Sequence, residues 1–268
     1  MIPKIIHFVW VGDRQKNQLT LNCIASWKKY CPDYKIIEWG NDSLAQIDNR
    51  YVVQAFENKK WAFVSDFLRL YALNKFGGFY FDSDLEITAN IDKFRNNKFI
   101  TGHEIYDNRV FPFTAFMGSE PKGEIIKALL SEYDDLDFIN PDGTLNQMTN
   151  TVRVSNLFGK KYGILPPYDG TKQIKLGDDG LIEPWWFFCT PRPGFENYAI
   201  HHFNGSWIDG FSRKTKLKIG KYSLVRFRQK LKSINFPLEK DEKIVFCLRT
   251  TEKCYYAIVK KVKNMGHT

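Results

Sequence analysis

Apolar positions in the first part of the chain predict alternating strands and helices. Residues 5–11 are almost continuously apolar and end at Gly12, which is typical of a strand buried on both faces of a parallel sheet. Residues 21–30 have apolar positions at helical spacing and stop before Pro32, so they predict a helix. Residues 34–39 predict a second strand. This strand–helix–strand opening indicates an α/β fold.

The strongest helix pattern is followed directly by two glycines and a short strand. Trp61–Phe76 consists of good helix formers, and Gly77 and Gly78 stand where a helix C-terminal cap belongs. Residues 79–81 predict a buried strand that runs into Asp82. A carboxylate at the end of a buried strand must be paired, solvated or bound to a ligand.

Charged side chains on this helix and after this strand are expected to converge. Ser65, Asp66 and Arg69 are spaced i, i+1 and i+4 on the helix, which brings them to one face. Asp82 and Asp84 are two residues apart in an extended segment and therefore point the same way. Such a D-x-D pair suits Mg²⁺ or Mn²⁺. An isolated D-x-D is more often a surface turn, but these neighbours favour a binding site.

A second polar cluster lies in the segment IHHFNGSW at residues 200–207. His201 and His202 would point to opposite sides of an extended chain, so at most one of them joins a metal site. Asn204 and Ser206 offer oxygen donors, and the alternative for the histidines is a hydrogen-bonded structural role. Trp10 is a third candidate, because it follows the first strand at the carboxyl end, where α/β sheets bind ligands.

Composition is that of an ordinary globular protein. The 268 residues are 43% hydrophobic and 26% charged, with 22 Phe, 13 Tyr and 7 Trp. Five scattered cysteines without a CxxC pair indicate a reducing compartment, and no apolar segment is long enough to span a bilayer. We therefore expect a cytoplasmic protein. Dinucleotide, P-loop, zincin and serine-hydrolase motifs do not occur in the sequence.

The net charge of +9 comes from one segment. Residues 213–232 contain nine Lys or Arg and no Asp or Glu. Leu217, Leu224 and Leu231 recur there at heptad spacing, which predicts an amphipathic basic helix on an anionic membrane, at the inner face of the plasma membrane. A solvated basic face is an equal alternative. Nucleic acid is not expected as a partner, because no binding module is recognised.

Three sequence blocks resemble one enzyme family. The blocks IPKIIHFVWVG, SDFLRLYALNKFGGFYFDSD and HHFNGSW, within residues 2–207, resemble glycosyltransferases of family 32, which include bacterial capsule transferases and yeast mannosyltransferases. The first two are also similar to the glucosyltransferase domain of large clostridial toxins. The resemblance implies a GT-A type, Rossmann-like catalytic domain. We place this domain at residues 1–210 and a basic, mainly helical C-terminal extension at 211–268.

The resemblance also implies roles for single residues. The implied catalytic residues are Asp66, Arg69, Asp82 and Asp84; the implied donor contacts are Val9, Trp10, Ser65, Asp66, Arg69, Tyr80, Asp82, Ser83, Ser206 and Trp207; and the implied metal ligands are Asp82, Asp84, His202, Asn204 and Ser206. Among these, Trp10 would stack on uracil, Asp84 would bind the metal directly and Asp82 would hold donor hydroxyls. Whether His202 or Asn204 completes the metal coordination stays open.

The expected function is a retaining glycosyltransferase that depends on Mn²⁺ or Mg²⁺. The resemblance favours a UDP-sugar over a GDP-sugar, with UDP-galactose first, and a lipid-linked or oligosaccharide acceptor in bacterial capsule or exopolysaccharide synthesis. One alternative is a metal-dependent phosphoesterase or nuclease that acts on a polyanion with the basic segment. Another is a membrane-binding module without catalysis. The sequence does not specify the linkage or the oligomeric state.

Overall fold

A computed structural model describes residues 1–106, 109–204, 213–219, 222–227, 242–249 and 254–260, with side chains for the first two ranges. The chain divides into two compact units, Met1–His201 and His202–Thr268, whereas the sequence placed the division after residue 210. The first unit contains all of the described helices.

The bounds of the elements in the first unit follow chain order. Its strands are β1 (Ile5–Val9), β2 (Lys35–Trp39), β3 (Gly78–Phe81), β4 (Leu85–Ile87), β5 (Phe99–Tyr106), β6 (Arg109–Pro112), β7 (Phe116–Ser119), β8 (Ile174–Lys175), β9 (Leu181–Glu183) and β10 (Ala199–His201). Its helices are α1 (Gln18–Tyr30), α2 (Arg50–Glu57), α3 (Trp61–Phe76), α4 (Glu124–Ser131), α5 (Asn150–Tyr162) and α6 (Trp185–Phe188), with 3₁₀ helices at Asn41–Gln46 and Asp92–Asn96.

The central sheet is mixed and has the predicted parallel opening. Its strand order is β2-β1-β3-β7-β5-β9-β8, with β6 paired to β5. Strand β1 runs parallel to both β2 and β3, and Ile6 pairs with Phe79. Strand β7 is antiparallel to β3 and to β5, while β9 is parallel to β5. The predicted α/β, Rossmann-like architecture is therefore confirmed.

Helix α3 is buried along most of its length and forms the centre of the core. It packs against α2, α4, β1 and β3. Apolar residues occupy more than one face of this helix, as expected for a helix enclosed by neighbours. Two of its buried residues, Asp66 and Arg69, are charged. Because buried charges require partners, these two residues mark the site described below.

The two glycines after α3 fit where no larger residue fits. Gly77 caps the helix at φ +62°, and a Cβ atom there would lie 2.6 Å from the Pro121 side chain. At Gly78, with φ +100°, a Cβ atom would lie 2.6 Å from the carbonyl oxygen of Ile5. These close contacts place β3 against β1 and thereby fix the position of the residues that follow β3.

A buried histidine ties the same corner together. His7 Nδ1 accepts a hydrogen bond from Trp39 Nε1 at 3.1 Å, and its Nε2 donates to the Gly77 carbonyl at 2.9 Å. Burial lowers the pKa of His7 to about 4, so the ring is neutral near pH 7. Three parts of the chain, β1, β2 and the end of α3, are therefore joined through one side chain.

The prediction of a mainly helical C-terminal extension is wrong for those residues of the extension that the structure describes. That part consists of β11 (Arg213–Ile219), β12 (Tyr222–Phe227), β13 (Glu242–Arg249) and β14 (Cys254–Lys260), in the antiparallel order β11-β12-β14-β13. The heptad spacing misled the prediction: KTKLKI at 214–219 alternates polar and apolar residues over much of its length, which is the period of a strand. Leu217 and Leu224 pair across β11 and β12. Leu231 lies outside the described residues.

No described helix is both long enough and apolar enough to cross a membrane.

Candidate active site

The D-x-D motif forms a turn between two short strands. Asp82 follows β3, and its backbone N–H donates to the carbonyl of Ala115 at 2.9 Å. The carbonyl of Asp82 then accepts from the N–H of Leu85, the first residue of β4. Both ends of the turn are therefore fixed by backbone hydrogen bonds. Asp82, Ser83 and Asp84 are all partly buried.

Arg69 bridges the aspartate of α3 and the first aspartate of the motif. Its Nη2 atom lies 3.1 Å from Asp66 Oδ1 and 3.3 Å from Asp82 Oδ1, and its Nη1 atom donates to the Thr114 carbonyl at 2.8 Å. The Arg69 side chain is only 6% exposed. A buried guanidinium with two carboxylates is well compensated, so Arg69 holds Asp66 and Asp82 in a defined geometry.

Tyr80 and Ser65 complete the support of Asp82. The Tyr80 hydroxyl donates to Asp82 Oδ1 at 2.8 Å and lies 2.9 Å from Ser65 Oγ. The Arg69 guanidinium also stacks 4.5 Å from the centre of the Tyr80 ring. The structure thus brings four predicted site residues into one hydrogen-bonded group on α3 and β3, namely Ser65, Asp66, Arg69 and Tyr80.

Asp66 is also bound to the start of α5, which sequence reasoning missed. Its Oδ2 atom accepts from the backbone N–H of Asn150 at 3.0 Å, and the Asn150 side chain donates to the Asp66 carbonyl at 2.8 Å. The Tyr133 hydroxyl donates to Asn150 Oδ1 at 2.9 Å. Burial raises the pKa of Asp66, while Arg69 and the Asn150 amide act in the opposite direction. Asp66 therefore links α3 to α5.

His201 faces the D-x-D aspartates, although sequence reasoning did not choose this histidine. Strand β10 pairs with β4 so that His201 lies opposite Leu85, directly after the motif. The His201 Nε2 atom lies 3.4 Å from Asp84 Oδ1 and 3.9 Å from Asp82 Oδ2. Burial opposes the charged ring, but the two carboxylates outweigh it and hold the pKa of His201 well above its usual value.

Asp82, Asp84 and His201 fit a divalent metal. One ligand atom from each residue lies within 4.8 Å of the others, so one ion can contact all three. Two carboxylates and an imidazole are ligands found around several divalent metals, and this set does not select one ion. Because an imidazole binds a metal only when it is neutral, metal binding by His201 would release a proton.

A comparison with family models shows which known sequence region contains this motif. Residues 18–100 match the model described as the glycosyltransferase sugar-binding region containing the DXD motif. Asp82-Ser83-Asp84 is the one D-x-D of that segment. Residues 18–100 are therefore similar to a DXD-type glycosyltransferase region, and the match covers less than half of the chain. The matched residues include α3, both carboxylates of the motif and the bridging Arg69.

Comparisons over the whole chain add less. No curated protein matches the sequence. Among solved structures, the chain is similar to one titled "PaToxG Glycosyltransferase", at 18% identity and with a TM-score of 0.45. The similarity covers 60% of this chain and 70% of that chain.

Two residues predicted to contact the nucleotide lie at the carboxyl end of β1 in the central sheet. Val9 is buried, and Trp10 is partly exposed with its Nε1 atom donating to the Arg14 carbonyl at 2.8 Å. The Lys16 amine lies 5.7 Å from the centre of the Trp10 ring. Stacking of Trp10 on a base stays a prediction.

The remaining predicted ligands belong to the second unit of the chain. His202 and Asn204 are described there, and their roles at the metal site stay predictions. Ser206 and Trp207 lie outside the described residues.

Glu104 is a further carboxyl group near the DXD site that sequence reasoning missed. It lies on β5 opposite Phe111 of β6 and is partly buried. Burial raises the pKa of Glu104 to about 7, with smaller effects from the charges of His201, Asp82 and Arg69. The sequence around Glu104 contains no recognisable motif. Glu104 could therefore not be predicted as a site residue, because only the fold brings β5 to the site.

Proposed function

We propose that this chain is a retaining, divalent-metal-dependent hexosyltransferase that uses a nucleotide sugar as donor. The observation that carries the proposal is the meeting of His201 with both aspartates of a DXD-type glycosyltransferase region. Arg69 and Tyr80 hold Asp82 from behind, so the motif is prepared for a ligand before the ligand arrives.

A divalent ion held by Asp82, Asp84 and His201 would supply charge neutralisation for the nucleoside diphosphate leaving group. Asp84 and His201 offer ligand atoms to this ion. The two carboxylate oxygens of Asp82 have different neighbours. Asp82 Oδ1 is engaged by Tyr80 and Arg69, and Asp82 Oδ2 faces His201. In this arrangement Arg69 acts on the donor site through the two aspartates that it bridges.

We favour a front-face substitution for the transfer step. The acceptor hydroxyl oxygen forms a bond to the anomeric carbon on the leaving-group side, and the bond from that carbon to the phosphate oxygen breaks. The proton of the acceptor hydroxyl passes to the departing phosphate, so no protein base is consumed. The anomeric configuration is retained because the new bond forms on the face from which the phosphate leaves.

The finer assignments come from the family resemblance. UDP-galactose is the donor we propose first. The proposed acceptor is a lipid-linked or oligosaccharide sugar in the synthesis of a bacterial surface polysaccharide. The basic segment 213–232 supports placement at the inner membrane surface, because nine Lys or Arg without an acidic residue attract anionic lipids.

A thermal-stability panel tests the donor and the metal together. We expect UDP-sugars to stabilise the protein only when Mn²⁺ or Mg²⁺ is present, because a ligand that binds the native state alone raises apparent stability. The Asp84→Asn variant should lose both this stabilisation and sugar transfer, since it removes one ligand charge. The new glycosidic bond in the product should have the anomeric configuration of the donor, as observed by NMR.

A second D-x-D in the chain provides the control. Asp135-Leu136-Asp137 lies outside the matched segment, and Asp135 is exposed. Asp135→Asn makes the same chemical change and should leave transfer intact. Equal losses in the two variants, or full transfer by Asp84→Asn, would rule out the metal role of the motif. Stabilisation by UDP-sugars in EDTA would also contradict it.

A further inference from the structure

A large cavity opens between the β5–β6 hairpin and helix α5. Its volume is about 800 Å³, within the range of about 300–1,000 Å³ that is typical of small-molecule sites. Glu104 and Phe111 line it from the hairpin, Val152 and Lys160 from α5, and Tyr168 from the following loop. All of the lining residues belong to the first unit of the chain.

The cavity adjoins the DXD site through the start of α5. Thr149 lines the cavity, and the next residue, Asn150, binds Asp66 through both its backbone and its side chain. Asp66 in turn contacts Arg69. The wall of the cavity and the support of the motif are therefore parts of one hydrogen-bonded structure.

The hairpin connects the cavity to the site from a second direction. Glu104 lines the cavity and interacts electrostatically with His201 and Asp82. Phe113, just after β6, donates its backbone N–H to Gly102, and its ring lies 5.3 Å from the His201 ring, centre to centre. Glu104 therefore belongs to the cavity wall and also lies within the electrostatic influence of two residues that fit the metal.

The lining has the chemistry of a sugar site. Aromatic rings from Tyr106, Phe111 and Tyr168 offer flat apolar faces, on which sugar rings stack. The Tyr168 hydroxyl is buried and has no hydrogen-bond partner among the residues whose side chains are described. Glu104 and Lys160 add an acceptor and a donor for hydroxyl groups. Aromatic faces with a few convergent polar groups match a polyhydroxylated ring.

We propose that this cavity binds the acceptor sugar and that Glu104 positions the acceptor by accepting a hydrogen bond from one of its hydroxyl groups. The inference rests on the proposed transferase function and adds to it the location of the acceptor. Glu104 is a positioning residue in this scheme, because the hydroxyl proton passes to the departing phosphate.

Two matched valines test the cavity. Val152 lines the cavity and is 45% exposed, whereas Val53 on α2 is 41% exposed and does not line it. Val152→Trp should fill the cavity and raise the KM for the acceptor by about tenfold or more, while Val53→Trp should leave it unchanged. The acceptors used are octyl glycosides of galactose, glucose and N-acetylglucosamine, with UDP-galactose and Mn²⁺.

Calorimetric titration with UDP and Mn²⁺ separates the acceptor from the donor. Val152→Trp should bind UDP as the wild type does. A loss of UDP affinity equal to the rise in acceptor KM would overturn the inference and assign the cavity to the donor. Absence of metal-dependent UDP binding by the wild type would instead refute the proposed function. If the wild type hydrolyses UDP-galactose but transfers galactose to none of the three glycosides, the acceptor site would be overturned and the proposed function would stand.

Glu104→Gln tests the positioning role. The variant keeps the shape of the side chain but weakens hydrogen bonds from hydroxyl groups, so acceptor KM should rise by about tenfold while kcat falls much less. Glu104→Asp should recover part of the acceptor affinity. A fall in kcat with unchanged KM would contradict the assignment, and so would unfolding of Glu104→Gln at the temperature of the assay.

Discussion

At the scale of single residues, the site is organised by charges that compensate one another. Arg69 contacts Asp66 and Asp82, and His201 contacts Asp84, so each aspartate has a cationic or ionisable neighbour. The spacing of residues on α3 and in the motif was enough to predict that the aspartates and Arg69 converge. The spacing was not enough to choose His201 over His202. Which of the two histidines faces the motif depends on the register between β10 and β4, and the sequence does not show that register.

The two neighbouring histidines provide a residue-scale test. His201→Gln should weaken Mn²⁺ binding by at least roughly tenfold to a hundredfold, because the variant loses a direct imidazole ligand and even the loss of an outer-shell partner costs that much. His202→Gln makes the identical change one position along the chain and should have the smaller effect. Titration of each variant with Mn²⁺, followed by electron paramagnetic resonance, measures both affinities. A larger loss in His202→Gln would transfer the ligand role to His202.

At the scale of elements, the motif is positioned by the connection in which Gly77 and Gly78 join α3 to β3. The sequence predicted this connection well, because helix formers, glycine caps and an apolar run leave distinct patterns. It predicted the C-terminal elements badly, because leucines seven residues apart can also face each other across two paired strands that follow closely in the chain. Leu217 and Leu224 are neighbours across β11 and β12 rather than along one helix face.

Two helix-capping glycines test the tight connection. Gly77 ends α3 and Gly163 ends α5, and both have positive φ, but only Gly77 has neighbours where a Cβ atom would stand. Gly163→Ala should lower the free energy of unfolding by roughly 1–2 kcal/mol, which is the cost of a left-handed residue with a side chain. Gly77→Ala should cost about 3 kcal/mol or more, because overpacking is added to backbone strain. Urea denaturation measures the difference, and equal losses would disprove the steric argument.

At the scale of the whole molecule, charge is distributed unevenly. Residues 213–232 carry nine Lys or Arg, a number equal to the net charge of +9, so the remainder of the chain is neutral. This asymmetry is readable from the sequence, since it needs no structure. The cavity beside the site was not readable, because its walls come from a hairpin, a helix and a loop that only the fold brings together.

Anionic vesicles test the basic segment in the full chain. We expect binding to phosphatidylglycerol vesicles, weak binding to phosphatidylcholine vesicles and release at high salt, where the Debye length falls to about 3 Å at 1 M. Changing Lys214, Lys216, Lys218 and Lys221 to Gln should weaken binding strongly, at about 1 kcal/mol per charge. The same change at Lys28, Lys29, Lys35 and Lys59 is the control in a sedimentation assay. Equal losses would show attraction by net charge alone.

The pairing of β10 with β4 has a consequence for the order of folding. The motif lies at residues 82–84, but the histidine that faces it arrives on the last strand of the first unit, at residue 201. More than a hundred residues must therefore be synthesised after the motif before the histidine that faces it exists. Contacts so distant in sequence form late, since closing a long loop is entropically costly. The candidate metal site is thus completed only when the first unit has closed, and a growing chain that ends before β10 holds the aspartates without their histidine.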